Sequence, residues 1–243
     1  MVEYPSGLRG WIANPLFVGS NPTSTSIKQS YTTMDISRYT YKNSNLYNSR
    51  GEAVMMEWER DWMKKSADIV CSNGGDILNI GHGLGIVDSY IHEYNPKSHW
   101  IIEAHSDVHS YMKQNGWYDK AKVIESRWQS ALDKIPTFDG IYFDTWADNA
   151  TDFRNGLIKK LPYILNKGGI FSYWVNTSSK DADMVDLCKS IGLNIRYEKF
   201  KVDIPKKQYL NKNKGYISSE LEYVMLPIIT NPNEVLNEEY LTI

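Results

Sequence analysis

The chain is poor in cysteine. It has two, Cys71 and Cys188, far apart and without metal-type spacing. That excludes a disulfide framework and a cysteine-built metal centre. Histidine is scarce as well. His82, His92, His99, His105 and His109 fall in no ligand pattern such as H-E-x-x-H, so no metal is expected. Neither sign of charge has a surplus. A formal net charge of -2 gives no basic field to recruit nucleic acid or an acidic membrane surface. No apolar run approaches the length of a membrane span, and the N-terminus lacks a basic stretch leading into a long apolar one. No internal repeat is present. These absences predict a soluble, cytoplasmic protein with no nucleic-acid or membrane partner.

What is present suits a packed domain with a pocket. Hydrophobic residues make up 42% of the 243, enough for a sizeable core. Eight Trp and seventeen Tyr favour a pocket lined with flat surfaces. Residues 1–48 are rich in Ser, Thr, Asn and Tyr, broken at Pro5, Pro15 and Pro22. They read as an N-terminal extension, with Trp11, Leu16 and Phe17 available to dock it. Either it is poorly ordered or it is a lid over a pocket. Residues 49–230 read as the domain, and 231–243 as a polar, mildly acidic tail.

The domain is organised around Asp76 to Gly85, DILNIGHGLG. A strand-type run meets Gly81, Gly83 and Gly85, and a helical pattern follows. Strand, glycine turn and helix in that order open a nucleotide-binding α/β domain. Glycines also serve packing alone at such corners, and G-x-G-x-G is not the full fingerprint. A second feature favours the nucleotide reading. The next strand-like run, His99 to Ala104, carries Glu103 about 20 residues after Gly81, where a carboxylate accepts ribose hydroxyls.

Strand and helix then alternate. Strands are expected at Asp76–Ile80, His99–Ala104, Ala121–Glu125, Phe138–Asp144 and Ile170–Val175. Helices are expected near Gly85–Glu93, Asp107–Asn115, Asp152–Leu165 and Asp181–Ile191, with Lys167-Gly168-Gly169 ending the third. Two last strands, Asn194–Val202 and Glu220–Ile229, have no helix between them and can pair antiparallel. The pattern predicts a mostly parallel sheet with helices on both faces. Between the last strands, Lys206, Lys207, Lys212 and Lys214 make a basic loop, read as solvated or as an anion contact.

A first helix is expected from Ser49, where Ser49-Arg50-Gly51-Glu52 has the form of a capping box, to about Asn73-Gly74-Gly75. On that helix Glu59 shares a face with Met55, Trp62 and Met63. A carboxylate on an apolar stripe is costly unless paired. It is either a partly exposed edge acid or a pocket acid that meets a cation. Asp144 closes an apolar strand and points into the same rim, or else caps the segment after it. Two acids on one pocket suit a planar guanidinium.

At this point the sequence resembles a known family, the guanidinoacetate N-methyltransferases together with the fungal-type protein arginine N-methyltransferases that modify the δ-nitrogen. The matching blocks are AVMMEWERDWM, ILNIGHGLGIVDSYI, HWIIEAHSDV, NGWYDKAKVIESRWQSAL and FDGIYFDTWAD, within roughly residues 50 to 230. Their wording is closer to the arginine enzymes, whose repeat-containing N-terminal region has no match in the sequence. The resemblance implies a Rossmann-like class I methyltransferase fold with a seven-stranded sheet and S-adenosyl-L-methionine as cofactor. Carried onto this chain, it puts Met63, Gly81, Gly83, Glu103, Trp128, Gln129 and Asp144 at the cofactor. Of these, Gly81 and Gly83 line its methionine part, Glu103 binds the ribose, and Trp128 and Gln129 lie near the adenine. Glu59 and Asp144 grip the guanidino group as the catalytic pair, and Thr177 and Ser178 stand where a substrate carboxylate is received.

The sequence also departs from the family. Asn79 replaces the acid common near the end of the first strand, which bears on cofactor affinity. Gln129 stands where the guanidinoacetate enzyme has an acid, which bears on the adenine contact. Strand four ends Asp-Thr-Trp-Ala, unlike the Asn- or Asp-Pro-Pro-aromatic motif of methyltransferases that act on DNA bases and glutamine. The expected acceptor is a small guanidino compound with a carboxylate, because of Thr177 and Ser178. An arginine in a protein or peptide, another small metabolite, or a cofactor-binding regulator without turnover stay open, as does a homodimer. Glu59 and Asp144 argue against the regulator.

Overall fold

A computed structural model describes residues 38–145, 149–205, 217 and 221–232. Most of the N-terminal extension, the lysines of the basic loop and nearly all of the tail lie outside the described residues.

Two sheets are formed. Strands β1 (Thr40–Lys42), β2 (Asn45–Tyr47) and β3 (Ala53–Met55) make a small antiparallel sheet. The large sheet holds β4 (Asp76–Ile80), β5 (Ser98–Glu103), β6 (Lys122–Glu125), β7 (Phe138–Phe143), β8 (Leu165–Tyr173), β9 (Asn194–Lys201) and β10 (Tyr223–Thr230). Its order is β6-β5-β4-β7-β8-β10-β9. The five strands from β6 to β8 run parallel, and β10 is antiparallel to both β8 and β9. The chain winds outward from β4 to β6, then crosses back to β7 beside β4. That reversal is the switch point, and its crevice lies beyond the carboxyl ends of β4 and β7.

The helices are α1 (Arg60–Val70), α2 (Ile86–Glu93), α3 (Ser106–Gln114), α4 (Trp117–Lys120), α5 (Trp128–Ala131), α6 (Ala150–Asp152), α7 (Leu161–Ile164) and α8 (Ala182–Ser190). Helices cover both sides of the sheet, as expected. In α1 the buried residues Trp62, Met63, Ser66, Ala67, Ile69 and Val70 form one stripe. That is the face an amphipathic helix turns to a core.

Two expectations fail. No helix starts at Ser49. The Asn48 side chain instead accepts from the backbone N–H groups of Arg50 and Glu52, each at 2.9 Å, and closes a turn. Ala53 to Met56 are all buried, which suits a short covered strand better than a one-sided helix. Helix α1 therefore begins at Arg60, and Met55 lies in β3, off the helix face expected to hold Glu59. The long helix over 152–165 is also broken. After α6 come a π-turn (Phe153–Leu157) and a 3-10 turn (Ile158–Lys160), then α7 with a proline in its first turn. Pro162 has no N–H to continue the ladder. Lys167 to Gly169 do not end a helix, since β8 already starts at Leu165.

Proline also marks the boundary between β8 and β10. Pro227 lies in β10, inside the sheet, where a missing N–H interrupts a ladder. The buried Ser172 hydroxyl donates to the Pro227 carbonyl at 2.7 Å, which gives that carbonyl a partner across the seam with β8.

Candidate active site

The turn after β4 is built from glycines with left-handed backbones. Gly81, Gly83 and Gly85 have φ of +96°, +56° and +71°. Gly81 and Gly85 also lack the room for a side chain, and Gly83 is tight against the end of Met55. A Cβ on Gly81 would lie 2.0 Å from the Asp144 carbonyl oxygen, one on Gly83 3.0 Å from the Met55 sulfur, and one on Gly85 2.7 Å from the His82 ring. Packing and turning thus both require them. The small sheet closes over this turn. Tyr41 donates its hydroxyl to the Gly83 carbonyl at 3.2 Å, and the Leu84 N–H meets the Met55 sulfur. Burial, and then the nearby Glu103 charge, push the Tyr41 phenol far above its ordinary value.

Glu103 ends β5 beside the turn and is nearly buried. One oxygen accepts from the His82 N–H at 2.9 Å, and the other from the N–H groups of Ala104 and His105, both at 2.7 Å. An ionised carboxylate has about four acceptor positions. Glu103 therefore pins the glycine turn to β5 and keeps acceptor capacity in hand.

Beneath the turn lies a polar cluster the sequence reading did not find. Asp88 of α2 is fully buried. Its carboxylate accepts from His82 Nδ1 at 2.7 Å, His99 Nε2 at 2.9 Å and the Asn79 amide at 2.8 Å. The same amide nitrogen donates to the Gly81 carbonyl. Burial alone would raise the Asp88 carboxyl, but the charge and hydrogen bonds of His82 and His99 outweigh it and hold it down at about 2. Asn79, noted as a departure, thus joins the buried acid to the turn. The available signal was a charged residue inside the apolar run IVDSYI.

The Phe143–Asp144 peptide unit is clamped on both sides. The Asp144 N–H donates to the Ile80 carbonyl at 2.8 Å, and the Phe143 carbonyl accepts from the Trp174 N–H at 3.0 Å. Asp144 is buried at the mouth of β7. It is not the cap of α6, because Asn149 fills that role by accepting from the Thr151 N–H. Glu59 is completely buried, not an edge acid. Its Oε1 accepts from the Met56 N–H at 2.9 Å, the reach-back of a capping box that starts at Met56 and not at Ser49. Its Oε2 accepts from the Trp174 indole N–H at 2.8 Å. Trp174, just past β8, therefore joins Glu59 to the peptide unit that carries Asp144.

The remaining residues are spread around the same end of the sheet. Trp128 opens α5, stands edge-on to Phe143 at 5.8 Å and is buried; Gln129 follows it, half-buried. Met63 is fully buried in α1, where its sulfur receives the Tyr142 hydroxyl at 3.9 Å. Thr177 and Ser178 lie beyond Val175 on an exposed loop. The Thr177 hydroxyl accepts from the Ser179 N–H, and its carbonyl from the Met225 N–H. Met55, Tyr41 and Trp174 are the site-forming residues that the sequence reading missed. Each acts across a long stretch of chain, and no local pattern marks such a contact.

A sheet of this order, with a glycine turn at the switch point and an acid on the tip of the next strand, is a class I methyltransferase fold. Solved structures with the same architecture include M. jannaschii TYW2 in complex with AdoMet, at 13% identity and TM-score 0.51, covering 81% of this chain and 87% of that one. Another is ribosomal protein L11 methylase from Lactobacillus delbrueckii subsp. bulgaricus, at 12% identity and TM-score 0.51, covering 72% and 79%.

The particular family follows from the sequence match. The model of guanidinoacetate N-methyltransferase covers residues 25–197, and the chain belongs to that family. Curated relatives include Protein arginine N-methyltransferase 2 of Yarrowia lipolytica, 34% identical over 68% of this chain and 39% of its own length. The protein of the same name from Saccharomyces cerevisiae is 31% identical over 82% of this chain and 54% of its own. The chain thus spans about half or less of these relatives.

Proposed function

We propose that the chain methylates a guanidino nitrogen, with the side chain of arginine in a protein or peptide as the acceptor. The observation that carries this reading is the pair of buried acids, Glu59 and Asp144, joined through Trp174. The names of the curated relatives support arginine over a free small molecule. An exposed Ser178 beside Thr177 favours the second reading, a small guanidino acid whose carboxylate meets that loop. Against it, the Ser179 N–H is already taken by Thr177.

The residues at the turn fit S-adenosylmethionine. Glu103 retains an acceptor position for a ribose hydroxyl, and the glycine turn lets backbone approach closely. Gly81, Gly83, Glu103, Trp128, Gln129, Met63 and Asp144 would hold the group, which supplies a methyl activated by a sulfonium. Tyr41 and Met55 of the small sheet, which meet the glycine turn, support reading residues 40–55 as a cover for this end of the domain.

The chain's own part is orientation and proton removal. Guanidinium holds its proton strongly and its nitrogens are poor nucleophiles. Paired carboxylates match its forked donors, fix one nitrogen, and one of them accepts the proton it loses. In a buried site these charge contacts are stronger than in water.

The test is release of S-adenosylhomocysteine with guanidinoacetate, free arginine, an arginine peptide and an amine without a guanidine. Turnover led by the arginine peptide is expected. Glu59→Gln should lower it at least about a hundredfold with cofactor affinity little changed, and Asp144→Asn should lower it at least as far. Turnover of the plain amine alone would overturn the acid pair, and guanidinoacetate as best substrate would select the second reading.

A further inference from the structure

We propose that Trp174 is a positioning residue that sets Glu59 relative to Asp144, an inference that rests on the reading of those two acids as the guanidino clamp. The two functions of Trp174 are separable by chemistry. Its main-chain N–H holds the carbonyl of the Phe143–Asp144 peptide unit at 3.0 Å, and any residue except proline would do the same. Its indole N–H holds Glu59 Oε2 at 2.8 Å, and among apolar-bodied residues only an indole carries a donor at that reach.

The remaining contacts fix the indole itself. Trp174 is nearly buried and lies almost parallel to Trp62, with ring centroids 5.3 Å apart and planes 14° apart. Trp62 belongs to α1, whose first turn follows directly on Glu59. The ring stack and the hydrogen bond therefore hold the start of α1 against the end of β8 at two points. With Met56 N–H on one oxygen and the indole on the other, the Glu59 carboxylate has one orientation. Substitution of Trp174 that keeps a flat ring should leave the fold and the cofactor turn in place, and free Glu59 alone.

The test is Trp174→Phe, which retains a ring against Trp62 and lacks the donor. A second variant carries benzothienylalanine at position 174, which has sulfur in place of the N–H in a ring of the same shape. Two readouts are taken. In the first, methyl transfer to the best guanidino acceptor should fall about ten- to a hundredfold in kcat, with cofactor affinity unchanged. In the second, the Glu59 carboxyl carbon is observed by NMR at one fixed neutral pH, without substrate, and its resonance should shift in both variants as the indole donor is lost.

The two readouts separate the two claims. If the wild-type protein methylates no guanidine but the Glu59 carboxyl resonance still shifts in the variants, the functional reading fails and the positioning role stands. An unchanged resonance and an unchanged kcat in the benzothienyl variant, with only a lower melting temperature, would overturn the positioning role.

Discussion

Replacing Gly81 with alanine separates two costs that glycine turns usually confound. The first is conformational. A φ of +96° is a backbone that an L side chain rarely adopts, and forcing it costs about 1–3 kcal/mol. The second is steric. The new Cβ would lie 2.0 Å from the Asp144 carbonyl oxygen, where a carbon–oxygen contact needs about 3.3 Å. The obstacle is a backbone atom with no rotamer to give, on a residue whose own N–H is held by the Ile80 carbonyl. Parting the ends of β4 and β7 by about an ångström adds about 1–3 kcal/mol, the usual cost of overpacking. The sum, about 2–6 kcal/mol, is a large part of a domain's total stability of about 5–15.

Gly192 supplies the control. It too has a left-handed backbone, with φ of +77°, but nothing stands within 4 Å of its would-be Cβ. Gly192→Ala should therefore show the conformational cost alone. Urea unfolding of the two variants, with equal slopes, reads the steric part as the difference in free energy. Equal losses would refute the close approach of Asp144. Because the displaced atom belongs to Asp144, methyl transfer by Gly81→Ala at a temperature where it stays folded should fall further than its stability explains.

The other expectations concern buried groups. Asp88, lowered from 3.8 to about 2, stabilises the fold by about 2 kcal/mol above pH 4. The unfolded chain binds the proton first, so this contribution declines as pH falls below about 4 and is gone below about 2; Asp88→Asn should lack that component in an acid series of urea midpoints. Cys71 and Cys188 are buried, and burial followed by nearby Asp68 and Asp181 pushes both thiols up to about 12. Iodoacetamide at pH 8 should leave both unmodified in the native protein and alkylate both in urea, as intact mass would record; rapid native labelling of either would contradict the packing. Ser172→Ala leaves the Pro227 carbonyl without its donor and should lose about 1–3 kcal/mol in urea unfolding. A loss near zero would mean that another donor reaches that carbonyl.

The legible parts of the fold were those whose signals are local. Strand β4 was readable to its last residue because apolar positions run directly into glycine. Glu103 was readable from its spacing along the chain. Glu59 stood out as an acid among apolar neighbours, although the supporting helix begins later than expected and Met55 reaches the turn from a strand instead. Strands of three residues, such as β1 to β3, are too short to display a period. The break at Pro162 was visible in the sequence, and the surrounding apolar run masked it. Trp174 had no local sign at all. Its partner lies 115 residues earlier, and a hydrogen bond across that distance is a property of the sheet order.

That sheet order also decides when the acid rim acquires its shape. The Phe143–Asp144 peptide unit is gripped by Ile80 on one side and by Trp174 on the other, with Gly81 lying against the Asp144 carbonyl. Fixing one residue's backbone costs about 1–2 kcal/mol in entropy, and here that loss falls during folding, when β7 joins its neighbours. A ligand arriving at Asp144 would have that residue's two side-chain torsions left to order. The rim is thus poor at adapting to guests of different outline and quick to receive one that fits. Breadth of acceptor, wherever this family has it, must come from the segments around the rim and not from the strand that bears the acid.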